Sequence, residues 1–526
     1  MFILRRVAAL VAVLFLVAGL PVPAHAAAYV AISGAGSTWS FNALDQWRTN
    51  VRQYGMTISY APTGSSDGRS QFRNGTVDFA VSEIPYGLAD RNVQDPPPAR
   101  QYAYMPIVAG GTAFMYNLKI GTKRVTNLRL SGDVVVKIFT GKITKWDDPA
   151  IAADNPNLTL PAKKIVPVVR SDGSGTTAQF TKWMSSEYGS LWNDYCGQVG
   201  RSVPCGLTSY YPLPTPQGAF VASSGSIGVA SYVKQAQSEG AITYVEYSYA
   251  VESRFPVVKL RNKSDYFIEP TARNVAVGLL GATIDSTDLT QRLEGVYRSN
   301  DARAYPLSSY SYMIVPRAVE GSFNTAKGQT LRDFAYYFLC EGQRNVSVIG
   351  YSPLPKNLVQ AGLTQVARIP GTSTKTIDIS KCNNPTFSSD GTNVLARDTP
   401  QPAACDKVGS SQCATGTGGT VPQQPVPTGT ANPTASTAPT GTASPVPGTT
   451  TGAPQIDPDT GLPVGGDNGG GDGEVLGVPV ALPAETGWDE TNTLMLVAVF
   501  LLLGIILGPP LIGRALANRN NTDRRF

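Results

Sequence analysis

The stretch that most constrains this chain is Val168-Val169-Arg170-Ser171-Asp172-Gly173-Ser174-Gly175-Thr176-Thr177. Two β-branched residues end a buried strand, a Ser/Gly turn follows, and Ala178-Gln179-Phe180-Thr181-Lys182-Trp183-Met184 opens a helix. Such a turn presents several free N–H groups to one anion. The first N–H groups of a helix lack internal partners, and the helix dipole favours negative charge beside them. Ser174, Thr176 and Thr177 add hydroxyls, and Gly173 and Gly175 let the backbone approach closely. Arg170 offers a planar fork for a tetrahedral oxyanion, with Asp172 placed to hold it. A plain helix cap after a loop is the competing account of these residues taken alone.

The rest of the chain bears on that choice. Short apolar runs at Thr57–Tyr60, Asp78–Val81, Ala113–Tyr116, Ile165–Val169 and Ala241–Val245 predict strands. Segments at Asn42–Tyr54, Ser131–Thr140, Ala178–Glu187 and Thr330–Leu339 predict helices. This alternation means an α/β fold with largely parallel sheets, whose ligands sit beyond the carboxyl ends of strands. Globular composition extends from Tyr29 to about Gly371, more than one comfortable core, so two lobes are expected.

The two ends set the compartment. Arg5-Arg6, the apolar run Val7–Leu20 and the small-residue site Ala24-His25-Ala26 predict a signal peptide over residues 1–26. No cysteine lies near that site, which argues against a lipid-anchored form. Residues 493–513 are uncharged and mostly apolar, long enough for a transmembrane helix, and the basic tail 514–526 predicts a cytoplasmic C-terminus. The part between faces outward, exported to the extracellular face of the cell membrane or the cell wall. Much of the formal net charge of +5 lies in the leader and the tail, leaving the outward part near neutral, with no basic patch for nucleic acid. Six cysteines in an exported chain predict disulfides. Sequence does not determine the pairing; neighbours suggest Cys196–Cys205 and Cys405–Cys413, leaving Cys340–Cys382.

The only histidine is His25, inside the leader. The mature chain therefore cannot run a Ser-His-Asp or Cys-His mechanism or build a His-based zinc site. Ser231-Tyr232-Val233-Lys234 has the Ser-x-x-Lys spacing of some acyl-transferring hydrolases, but the partner motifs Lys-Thr-Gly and Ser-Asp-Asn are missing, and it reads as one turn of a helix. No catalytic residue, metal or cofactor is expected, and the chain is read as no enzyme.

Three further stretches echo the first: Ser33-Gly34-Ala35-Gly36-Ser37-Thr38-Trp39, Pro62-Thr63-Gly64-Ser65-Ser66-Asp67-Gly68-Arg69, and Thr76–Pro85, which ends a strand in the carboxylate Glu83. In this order they resemble the substrate-binding proteins of bacterial high-affinity phosphate ABC transporters. Phe139-Thr140-Gly141-Lys142-Ile143-Thr144-Lys145-Trp146-Asp147-Asp148-Pro149-Ala150-Ile151 and Gly240-Ala241-Ile242-Thr243-Tyr244-Val245-Glu246-Tyr247 share the resemblance, which covers roughly Ala31 to Pro355. It implies a type II periplasmic-binding-protein fold, two α/β lobes joined by crossover strands near Met105–Tyr116 and Tyr305–Val315, with phosphate enclosed between them. It implies phosphate ligands at Thr38 (hydroxyl), Trp39 (backbone N–H) and Ser65 in one lobe and at Arg170, Ser174, Gly175 and Thr176 in the other, with Asp172 orienting Arg170. It also implies an acidic acceptor for the phosphate O–H, usually Asp in the family and Glu83 here. Phosphate near neutral pH carries an O–H for that acceptor and sulfate does not, so a buried carboxylate discriminates between them.

The expected organisation is therefore a signal peptide over 1–26 and a phosphate-binding domain over 29–372, with lobe one about 29–108 plus 308–372 and lobe two about 109–307. A disulfide-bearing extension over 373–415, a Pro/Thr/Gly/Ser-rich disordered stalk over 416–487, the transmembrane helix and the tail complete it. Leu482-Pro483-Ala484-Glu485-Thr486-Gly487 resembles a sortase sorting signal with one residue too many. Phosphate and the permease of an importer are the expected partners. The alternative is a stalked surface sensor, scavenger or adhesin that kept the fold without feeding a transporter.

Overall fold

A computed structural model describes residues 29–90, 93–373 and 375–418. The expected signal peptide, nearly all of the stalk, the sorting-like motif, the transmembrane segment and the tail lie outside the described residues. No helix among the described residues is long and apolar enough to cross a membrane.

Eight strands form the central sheet: β1 (Ile32–Gly36), β2 (Ile58–Ala61), β3 (Phe79–Ser82), β4 (Tyr102–Tyr116), β5 (Val166–Arg170), β6 (Val221–Ser223), β7 (Ala241–Glu246) and β8 (Ser308–Pro316). Their order across the sheet is β6-β5-β7-β4-β8-β3-β1-β2. Each flank is parallel, β1 with β2 and β3, and β5 with β6 and β7. The expectation of largely parallel sheets needs correction at the centre: β4 pairs antiparallel with β7 and β8, and β8 pairs antiparallel with β3. These two central strands occupy the ranges expected for the crossovers. Only β4 bridges the flanks, pairing β8 over Tyr102–Gly111 and β7 over Thr112–Tyr116.

The register explains where a site can form. Ser82, at the carboxyl end of β3, lies level with Tyr312 and through it with Pro106. Glu246, at the carboxyl end of β7, lies level with Thr112. The two flanks run in opposite directions, so their carboxyl ends face each other along β4. The separation is about 20 Å at the usual strand rise per residue, a distance that short loops from both sides can span.

Packing holds each turn in place. The helix α1 (Phe41–Asn50) follows the turn after β1 and buries Ala43, Leu44 and Trp47, with Trp47 stacked on Phe338 at 5.2 Å between centroids. The helix α2 (Ser65–Arg73) follows β2, and α3 (Gly175–Glu187) follows β5. In α3, Phe180 packs against Phe114, Phe139 and Tyr244 with ring centroids 4.9–5.4 Å apart. Helix α3 starts three residues before the expected Ala178, because the Ser174 hydroxyl accepts the Thr177 N–H at 3.1 Å and caps the helix there. Gly175, Thr176 and Thr177 are thus its first turn. All three disulfides form as the neighbouring spacing suggested: Cys196–Cys205, Cys340–Cys382 and Cys405–Cys413.

Candidate functional site

The turns after β1, β2, β3, β5 and β6 converge on one buried polar cluster. Thr38, Trp39, Ser65, Glu83, Arg170, Ser174 and Thr176 are each at most 3 % exposed, so every predicted ligand side chain lies inside the protein, while Asp172 is partly exposed. Residues from the two flanks touch directly. Gly175 N–H donates to Ser65 Oγ at 3.1 Å, and Ser66 N–H donates to the Gly173 carbonyl at 3.0 Å. Gln179 Nε2 donates to the Glu83 carbonyl at 2.7 Å.

Glu83 is the centre of the cluster on the first flank. Ser37 Oγ accepts the N–H groups of Trp39 at 3.0 Å and Ser40 at 3.4 Å, which leaves its own hydrogen for Glu83 Oε1. Ser65 Oγ, having accepted the Gly175 N–H, donates to Oε2 at 2.7 Å, and Ser311 Oγ lies 2.9 Å from Oε1. Both oxygens of Glu83 are therefore presented as acceptors. A carboxylate oxygen has two lone-pair positions, so Oε2, with one donor assigned, can receive another. Burial and then the neighbouring Glu83 charge push the Tyr60 hydroxyl well above its ordinary pKa, and it donates to the Ser37 carbonyl at 2.9 Å.

On the second flank, Arg170 is clamped by Asp172. Nε donates to Oδ1 at 2.7 Å, and Nη2 pairs with Oδ2. Burial alone would raise the Asp172 pKa, but the hydrogen bonds and charge of Arg170 and the Gly225 N–H outweigh it and hold the carboxyl below its ordinary value. The clamp uses Nε and Nη2, leaving Nη1 as the arm of the fork that Asp172 does not hold; it lies 3.4 Å from Ser226 Oγ. Thr176 Oγ1 is buried without a hydrogen-bond partner, a condition that costs about 1–3 kcal/mol unless something accepts its hydrogen.

Two glycines are required by the closeness of the flanks. A Cβ on Gly175 would stand 2.0 Å from Glu83 Oε2 and 2.6 Å from Ser65 Oγ. Gly64 has φ +99°, and a Cβ there would stand 2.6 Å from Asp172 Oδ2. The chemistry of the cluster is that of an oxyanion cradle with one guanidinium, several hydroxyls, backbone N–H groups and one carboxylate acceptor. Among the described residues no group of His, Cys, Asp and Glu is arranged to hold a metal ion.

The description "PBP superfamily domain" matches residues 21–341. Phosphate-binding protein PstS of Pasteurella multocida (strain Pm70) is 32 % identical over 332 residues, covering 62 % of this chain and 88 % of that protein. The chain belongs to the PstS family of the PBP superfamily. Another PstS phosphate-binding protein, from Xylella fastidiosa (strain Temecula1 / ATCC 700964), is 31 % identical over 332 residues, covering 63 % of this chain and 83 % of that one. A solved phosphate-binding protein from Stenotrophomonas maltophilia covers 69 % of this chain and 99 % of its own, at 17 % identity and a TM-score of 0.47. These PstS relatives are named as binding proteins, in keeping with the reading that the chain is no enzyme.

Sequence reasoning missed several members of the cluster. Ser37 lies in the Ser33–Trp39 turn, directly before the two residues named from it. Ser224-Gly225-Ser226 repeats the strand, small-residue turn and helix pattern and could have been found by it. Gln179 and Ser311 carry no such signal: one sits in a helix and the other inside β8, and only the tertiary fold brings them to Glu83.

Proposed function

We propose that this protein captures inorganic phosphate between its two lobes and delivers it to an ABC-type importer. The ligands are Thr38, the Trp39 N–H, Ser65 and Glu83 from lobe one (29–108 plus 308–372) and Arg170, Ser174, Gly175 and Thr176 from lobe two (109–307), with Asp172 fixing Arg170. On binding, the Trp39 and Gly175 N–H groups exchange Ser37 Oγ and Ser65 Oγ for phosphate oxygens, and Ser65 offers its backbone N–H, its hydroxyl hydrogen staying with Glu83. Residues 493–513 anchor it at the outer face of the cell membrane, and 416–487 raise the binding domain above it. The observation that carries this reading is the buried meeting of donors from both flanks around one carboxylate acceptor. A tetrahedral oxyanion that carries a hydrogen satisfies such a set: the donors take its bare oxygens and Glu83 takes its O–H. The names of the PstS relatives support the same ligand.

The energetics are sufficient. Charge-assisted hydrogen bonds contribute roughly 1.5–3 kcal/mol each, and a micromolar complex needs about 8 kcal/mol. About eight such bonds exceed this, and the surplus is taken up by desolvation and by bringing the lobes together. Calorimetric titration of the purified protein with inorganic phosphate tests the binding: micromolar or tighter affinity is expected, and Arg170→Met should weaken it by a hundredfold or more. Absence of binding, or an unchanged Arg170→Met variant, would remove the reading. Delivery has its own test. A deletion strain should take up phosphate poorly at micromolar supply, and normal uptake would contradict a transport role.

A further inference from the structure

The helix α4 (Gly225–Lys234) begins immediately after β6, and its first two residues reach both halves of the cluster. Gly225 N–H donates to Asp172 Oδ1 at 2.9 Å. Ser226 N–H donates to Thr38 Oγ1 at 3.1 Å, and the Ser226 and Thr38 hydroxyl oxygens lie 2.9 Å apart. Arg170 Nη1 donates to Ser226 Oγ at 3.4 Å. Ser226 is fully buried, so water does not compete for these contacts. It thus joins Thr38, a ligand from the first flank, to Arg170, a ligand from the second.

Counting hydrogens gives the contact a direction. Arg170 can only donate, so Ser226 Oγ is an acceptor there and its own hydrogen is available to Thr38 Oγ1. With the Ser226 hydrogen placed on it, Thr38 Oγ1 accepts twice, from the Ser226 N–H and the Ser226 O–H. Its own hydrogen is left to point elsewhere, toward a guest. A relay of this kind, guanidinium to serine to threonine to anion, polarises each successive bond. The Thr38 carbonyl is held by the Tyr249 hydroxyl at 2.5 Å, so the hydroxyl hydrogen is what the residue can turn toward a ligand.

We propose that Ser226 is a positioning residue for anion capture: it turns the Thr38 hydroxyl into an obligate donor and latches the two flanks in the closed state. This rests on the phosphate reading above and assigns a role in it to a residue outside the predicted ligand set. A latch made on closure acts chiefly on escape, so its loss shows in the dissociation rate more than in the association rate.

The test is stopped-flow and calorimetric phosphate binding by the full protein and by Ser226→Ala, Ser226→Thr, Thr38→Val and the double variant S226A/T38V. Ser226→Ala should weaken phosphate binding about tenfold, mostly through faster dissociation, with a ligand-free melting temperature close to that of the wild type. Ser226→Thr, which keeps the hydroxyl, should recover most of the loss. The double variant should lose at least fivefold less than the product of the single losses, because residues in one network do not act additively. Ser226→Gly provides a second deletion of the hydroxyl should the alanine variant fold poorly. Wild-type binding with an unchanged dissociation rate in the hydroxyl-deleted variants, or with additive losses, overturns the role of Ser226 alone. A wild-type protein without phosphate binding removes the phosphate reading and this proposal together.

Discussion

Glu83 carries the selectivity argument at the scale of single residues. Ser37 and Ser65 have their hydrogens committed to it, because each hydroxyl also accepts a backbone N–H. Glu83→Gln replaces one acceptor oxygen by a donor against these fixed hydroxyls. Phosphate affinity should fall about 10–100-fold while sulfate affinity rises or holds, so that their ratio collapses in competition calorimetry; a preserved ratio would relieve Glu83 of the task. Glu246 gives a pH prediction. Burial raises its pKa well above the ordinary carboxylate value, and hydrogen bonds from Ser248 and Tyr351 only partly offset this. The folded state therefore keeps a proton that the unfolded chain loses. Its stability contribution is complete below the unfolded pKa near 4.5 and is lost as pH rises toward the folded value. Glu246→Gln should leave the melting temperature unchanged at pH 4 and raise it at pH 8, by roughly 2–4 °C per kcal/mol released. A pH-independent difference would contradict the linkage. Much of this scale was legible in the sequence. Arg170, Asp172, Ser174 and Thr176 stand in one local pattern whose chemistry can be read without a fold. Ser311 could not be found that way, because a serine inside a strand looks the same wherever its neighbours lie.

Among the elements, helix α3 does most to shape the site. Its first turn is part of the cradle, so the start of the helix and the position of the donors are set by the same cap at Ser174. Ser174→Ala should cost about 1 kcal/mol of stability through the lost cap, with a larger effect on phosphate binding than on folding. Gly175→Ala tests how closely the flanks approach. With Glu83 Oε2 2.0 Å from the added carbon, the flanks cannot close without displacing the acceptor, and affinity should drop a hundredfold or more in a protein that still folds. Full binding by this variant would mean that the flanks stand further apart in the liganded protein. The strands and helices named from apolar runs were legible in the sequence, but the strand Val221–Ser223, the helix Lys356–Val366 and the start of α3 were not. Ser174-Gly175-Thr176 looks like loop by propensity, and only the capping hydrogen bond makes its last two residues helical.

Beyond the contacts at the site, the two flanks are tied together by β4 and by the extension after residue 372. Cys382 is bonded to Cys340 beside the helix Thr325–Leu339, and Asn384 and Thr386 both donate to the Leu354 carbonyl. Further on, Arg303 donates to the carbonyls of Ala396 and Thr399, Lys259 pairs with Asp406 at 2.8 Å, and Thr417 Oγ1 lies 2.5 Å from the Val257 carbonyl. The belt thus starts on the side of β8 and ends on the side of β7. Replacing Cys340 and Cys382 by serine should lower stability by roughly 3–4 kcal/mol on the loop-closure estimate, read as a drop in melting temperature; an unchanged melting temperature would contradict it. The order of strands and the antiparallel centre of the sheet were not legible in the sequence. They depend on pairings between residues some two hundred positions apart, such as Tyr312 with Pro106, which leave no local trace. What these long-range pairings bring together is the polar cluster around Glu83 that we propose selects its anion by the hydrogen it carries. Calorimetric titration of the wild-type protein with phosphate and with sulfate at neutral pH tests this most directly. The account predicts phosphate affinity at least tenfold above sulfate, and equal affinities would contradict it.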